Sequence, residues 1–137
     1  MTIRRAFILC GAGRRAESYM RSNLSDFDRK ESPELYLLAD QSPADKMPHR
    51  WCMDVGAPYK IFRTKMTKET LWAIQCKKRD LEIFELGQPD IVLAFRGTKH
   101  TAGARYEFAV EMARERGITV LSFGTNTIRM KPEVVVP

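Results

Sequence analysis

"DIVLAFRGTKHTAGARYEFAVEMARERGITVLSF", residues 90–123, decides how the rest of the chain is read. It opens with an apolar run, "DIVLAF" (90–95), and passes through a turn of small and polar residues. A helical pattern follows over 102–116, with Tyr106, Ala109 and Ala113 along one face and Phe108 and Met112 beside it. Gly117 stops that helix, and "TVLSF" (119–123) is a second apolar run. A strand, a helix and a strand of this kind form a parallel β–α–β unit. The runs are continuously apolar rather than alternating, as expected of strands covered on both faces.

Working outward, the same grammar recurs. "RAFILC" (5–10), "LYLLA" (35–39) and "YKIF" (59–62) read as three earlier strands. Between them, residues 14–28 read as a helix with Ala16, Tyr19, Met20 and Leu24 on one side, and "DRKESPE" reads as a polar loop. "DQSPADKMPHRWCMDVG" holds a helix closed by Gly56. Pro48 argues against a long helix there, because an interior proline removes a hydrogen bond and clashes with the preceding turn. The expected start is therefore near Lys46, with Asp45 as the cap. Ser42 and Asp45 also have capping-box spacing, with Pro43 at the first helical position. Residues 67–87 read as mostly helical, ended by Gly87 and Pro89. The fold expected from this alternation is α/β, a Rossmann-like three-layer sandwich with a parallel sheet of about five strands. Residues 1–137 read as a single domain, with 124–137 as a C-terminal tail that adds a short edge strand or docks on a partner.

The totals narrow the function classes. The 137 residues carry a net charge of +6 with charged residues at 29%, an excess that favours anionic partners. The Lys and Arg residues are scattered and form no tail of like charge, which argues against nucleic acid as the partner. No apolar run approaches the ~18 residues of a membrane span. The run in "MTIRRAFILCGAGRR" stops after about seven residues, so a strand is expected rather than a signal peptide. Cys10, Cys52 and Cys76 have no CxxC spacing, which points to free thiols in a reducing cytoplasm and away from zinc.

In parallel sheets of this type, ligands sit beyond the carboxyl ends of the strands. The positions of interest are thus 11–15, 39–45, 63–66, 96–101 and 124–127. Gly11, Gly13 and Arg14 follow the first strand. They read either as a tight strand-to-helix turn or as a phosphate contact, with Arg14 or Arg15 offering a planar fork. Asp40 follows the second strand and is placed to take a ribose hydroxyl, or to serve as a turn residue. Gly97 to Thr101 precede a helix, whose N-terminus suits an anion. Thr101 combines ligand contact with capping. Arg96 and Lys99 add positive charge beside this turn. His100, with an ordinary pKa of about 6.5, is a candidate proton donor. His49 reads as a surface or core residue, and Cys10 as a small buried apolar one.

These strand ends resemble the SLOG superfamily, within it the YspA/YpsA-related branch. Four stretches carry the likeness. "CGAGRR" is similar to the branch's opening G-x-R turn. "ADQSPADKMPHRWCMDVG" stands where the branch has G-G-A-x-G-A-D and a tryptophan, keeping Ala44, Asp45 and Trp51. Arg79–Asp80 stands for an R-N pair, and "DIVLAFRGTKHT" for D-x-V-x-A-F-P-G-G-x-G-T. The departures fall on the phosphate cradle: Arg96 replaces the proline, and Thr98 and His100 replace glycines, leaving Gly97 and Thr101. Ala39, Asp40 and Pro43 replace glycines of the second motif. Glycines let backbone N–H groups approach a phosphate closely.

The resemblance implies a nucleotide or nucleotide-derived ligand bound by Gly11, Gly13, Arg14, Asp40, Arg79, Arg96, Gly97, Thr98 and Thr101, with no cofactor and no metal. For Arg79 it implies phosphate contact if the helix breaks near Lys78; a solvated helix face is the ordinary reading. The superfamily's LOG phosphoribohydrolases carry a glutamate where this chain has Ala104, and Glu107 lies three residues further on. Two functions follow. One is a sensing or sequestering module that holds its ligand intact. The other is a hydrolase that cleaves the N-glycosidic bond of a nucleoside 5′-monophosphate, with Glu107, His100 or Asp40 as the acid. Relatives commonly assemble as homo-oligomers, and Phe108, Met112 and Trp72 offer apolar surface for that.

Overall fold

A computed structural model describes residues 3–11, 16–40, 43–64, 72–95, 103–123 and 133–135. Five strands lie parallel: β1 (Arg5–Cys10), β2 (Leu35–Ala39), β3 (Tyr59–Phe62), β4 (Ile91–Phe95) and β5 (Thr119–Phe123). A sixth, β6 (Glu133–Val135), pairs antiparallel with β5. The sheet order is β3-β2-β1-β4-β5-β6. The helices are α1 (Glu17–Glu31), α2 (Pro43–Val55), α3 (Trp72–Glu82) and α4 (Gly103–Glu115), with a π-helical turn at Ile83–Gly87 after α3. This is the α/β, Rossmann-like sandwich expected from the strand–helix alternation. The short antiparallel edge strand falls in the C-terminal tail.

Side-chain alternation along the strands builds two cores. Ala6, Ile8 and Cys10 of β1, with Tyr36 and Leu38 of β2, pack against Tyr19, Met20, Leu24 and Phe27 of α1 and Met47, Trp51 and Cys52 of α2. Phe7, Leu9, Leu37 and Ala39 point the other way and pack against Ile83 and Phe84 of the π turn and Ala109, Met112 and Ala113 of α4. Every strand residue of β4 is buried, which is why its sequence shows no polar alternation. The three cysteines are buried and form no disulfide. Burial pushes the Cys52 thiol up to about 12, with the charge of Asp28 adding to the effect.

Two boundaries differ from the sequence reading, each for a packing reason. α1 runs on through Glu31 into the expected loop. Phe27 extends the apolar stripe by one more turn, and Asp28 accepts the Tyr36 hydroxyl at 2.7 Å. The helix ends at Ser32, whose φ of 41° is left-handed and whose N–H donates to the Asp28 carbonyl. α2 starts at Pro43 and runs through Pro48, three residues earlier than the start expected at Lys46. Pro43 suits the first helical position. The bond that Pro48 cannot make is offset by the buried stripe of Met47, Trp51 and Cys52, and Pro48 is itself buried. Asp45 is therefore a buried first-turn residue rather than the cap. Gly56 closes this helix with a φ of 72°, as its sequence position anticipates.

The helical segment that follows ends at Gly87 as its sequence indicates, its last turn widening from α3 into the π turn. Gly87 packs so closely there that a Cβ would meet Leu37 Cδ1 at 2.7 Å. Its carbonyl accepts from the Arg5 guanidinium at 2.8 Å. The Asp90 carboxylate then accepts the backbone N–H groups of Arg4 and Arg5, fixing the entry to β1.

Candidate ligand site at the strand ends

Two features converge at the carboxyl edge of the sheet. The first is the switch point between β1 and β4. The chain leaves β1 toward α1 and β2, and returns through β3 to β4 on the other side of β1. Cys10, Phe95 and Phe123 end level with one another. The Gly11 N–H donates to the Phe95 carbonyl at 2.9 Å, so the chain turns off β1 directly beside the end of β4. Phe95 and Phe123 stack at 4.5 Å in the core on the α1 and α2 face. Crevices at such reversals are where open α/β sheets bind ligands. Of the residues expected here, Gly11 is partly buried at the end of β1. Gly13, Arg14, Arg96, Gly97, Thr98, Lys99, His100 and Thr101 lie outside the described residues.

The second feature is a polar cluster at the ends of β2 and β3. Ala39 and Phe62 are level, which brings Asp40 beside Thr64. The Thr64 N–H donates to both Asp40 oxygens at 2.9 and 3.0 Å, and its hydroxyl donates to Oδ1 at 2.8 Å. The Arg79 guanidinium reaches in from α3. Its Nη1 donates to Asp40 Oδ1 at 3.1 Å and to Thr64 Oγ1 at 2.8 Å, while Nε and Nη2 donate to Asp80 Oδ1. Arg79 is 1% exposed, so the reading of a solvated helix residue does not hold. Nor does α3 break near Lys78; it is continuous from Trp72 to Glu82. A buried guanidinium is stable there because two carboxylates and a hydroxyl meet its donors.

Asp40 and Arg79, expected as separate ligand contacts 39 residues apart, thus form one ion pair. Burial alone would raise the Asp40 pKa, but the Thr64 hydroxyl and N–H bonds and the Arg79 charge together hold it below the usual carboxylate range. Asp40 is fixed as an ionised acceptor, with its side chain still 20% exposed. It fits a hydrogen bond from a ligand hydroxyl far better than proton donation.

Glu107 is exposed on α4. At about 100° per residue it lies about 160° around the helix from the buried Ala109, on the face turned from the sheet. Met112 is buried in the core on the α4 face of the sheet and Phe108 packs partly buried beside it, so neither supplies the free apolar surface expected of them.

Thr64 and Gln75 were not singled out from the sequence. Thr64 falls within the strand-end window 63–66, which was its only signal. Gln75 lies on α3 and is 6% exposed; with Arg63, Lys78, Arg79 and Glu82 it lines a cleft of about 270 Å³ beside β3. No protein-family model, curated protein or solved structure matches the chain.

Proposed function

We propose that the protein binds a nucleotide or nucleotide-derived phosphate compound at the switch point and holds it intact, as a sensing or sequestering module. The single observation that carries this reading is the reversal of strand order at β1 and β4, with Gly11 bonded to Phe95 where the two strands end. The phosphate lies between the turn after β1, where Arg14 follows, and the turn before α4, where Thr101 precedes the helix N-terminus. Asp40, one strand across, accepts a ribose hydroxyl. The excess positive charge of the chain favours such an anion.

The hydrolase is the second reading, and two observations weigh against it. Asp40 is held ionised by Thr64 and Arg79, so it carries no proton to give a leaving base. Glu107 faces away from the sheet. His100 is then the one acid of the three left to that reading. Assembly into a homo-oligomer belongs to the proposal as well. Exposed Met53, Val55 and Tyr59, within residues 53–59, supply apolar surface for it.

Titration with nucleoside monophosphates tests the placement. Arg14→Ala and Thr101→Ala are each expected to weaken binding about tenfold, the loss of one charge-assisted contact. Unchanged affinity in both variants defeats the placement at the switch point. Base release from the same mixtures defeats capture without turnover.

A further inference from the structure

The cleft beside β3 has a composition that the fold itself leaves unexplained. Four of its residues, Gln75, Lys78, Arg79 and Glu82, recur at i, i+3, i+4 and i+7 on one face of α3, and Arg63 follows the end of β3. Arg79 is engaged by Asp40, Thr64 and Asp80. Gln75 differs: its side chain lies against the cleft, more than nine-tenths buried, and its amide makes no hydrogen bond among the described residues. A buried amide without a partner is costly, and such groups are rare unless something else satisfies them. Arg63 and Lys78 are exposed at the same cleft and make no ion pair among the described residues. Among the described residues the lining thus has three cations and one carboxylate, Glu82. Asp40 and Asp80, which balance Arg79, do not line it.

We propose that this cleft is a second binding site, which holds the phosphoryl or carboxylate group of a small polar ligand between Arg63, Lys78 and the Gln75 amide. The amide N–H₂ and the two cations donate to the anion. Glu82 accepts from a hydroxyl or amine elsewhere on the ligand. The volume is below the roughly 300–1,000 Å³ of drug-sized sites, which limits the occupant to a small metabolite. The site lies at the β3 edge, with β2 and β1 between it and β4, and its case does not depend on the switch-point reading.

Side-chain amide resonances of ¹⁵N-labelled protein, followed during titration with potassium phosphate and separately with potassium acetate at constant ionic strength, test it. The Gln75 amide is expected to shift saturably with one of the two anions, and that anion identifies the group bound. Lys78→Ala is expected to weaken the response about tenfold. Gln75→Leu is expected to lose the rise in melting temperature that the bound anion gives the parent and, lacking an unpaired amide, to melt above the parent without anion. A Gln75 signal that moves with neither anion overturns the proposal. So does unchanged affinity in Lys78→Ala, or a Gln75→Leu protein that melts lower. Shifts at the Gly11 amide with none at Gln75 bear out the switch-point site and overturn this one.

Discussion

Asp40 shows what a single residue does at this edge. It ties the turn after β2 to Thr64 after β3 and to Arg79 on α3, so one carboxylate closes three elements together. Its folded pKa is depressed, so the stability it contributes is fully present above the unfolded carboxylate value of about 3.9 and is lost as pH falls through the folded value. Asp40→Asn is expected to unfold at lower urea than the parent at pH 7, with the gap closing as pH drops below about 4. Urea midpoints of the two proteins between pH 3 and 7 check this. A gap that stays constant over that range places the stabilisation somewhere other than the carboxylate charge. The residue identity was legible in sequence as an acid after an apolar strand. Its partners were not, because Thr64 and Arg79 are brought to it by the β2–β3 register and the packing of α3, neither of which is encoded locally.

At the scale of elements, β1, β2 and β4 were the most legible strands because their apolar runs are unbroken and almost wholly buried, β1 with 0–1% exposure over Ala6–Cys10 being the clearest, whereas the edge strand β3 is exposed at Tyr59 and Lys60. The helix limits were less so. Local rules placed a break at Pro48, yet tertiary packing of Met47, Trp51 and Cys52 carries α2 through it. Trp51 is the centre of that packing. It meets Tyr36 edge-on at 5.3 Å and donates its indole N–H to Ser25 Oγ at 3.2 Å, joining α2 to both β2 and α1. Trp51→Ala is expected to cost about 3–5 kcal/mol, the range for emptying a buried aromatic site. Chemical denaturation measures it. A cost below about 1 kcal/mol means that α2 is not held by this stripe.

For the whole molecule, the strand order follows from two right-handed crossover sets on opposite faces, α1 and α2 on one and α3 and α4 on the other. That arrangement puts the reversal at β1 and β4, and with it the crevice. Sequence alternation alone implied a parallel sheet but could not order its strands, since their neighbours are set by the crossovers and not by the strands' own residues. The candidate site was correspondingly half legible: Gly11, Ala39, Asp40, Arg63 and Thr64, the described residues at or next to the ends of β1, β2 and β3, fall at the sheet's carboxyl edge, while the cleft of α3 left no motif, its four residues being ordinary polar helix formers. No helix among the described residues is long and apolar enough to cross a membrane.

The central claim is that the switch point holds a nucleotide-type compound without transforming it. Mass spectrometry of the small molecules released on denaturing natively purified protein tests it most directly. The expected result is an intact nucleotide-type phosphate compound in near-stoichiometric amount, reduced in the Arg14→Ala and Thr101→Ala proteins. A free base with a ribose phosphate in its place contradicts capture and favours the N-glycosidic hydrolase.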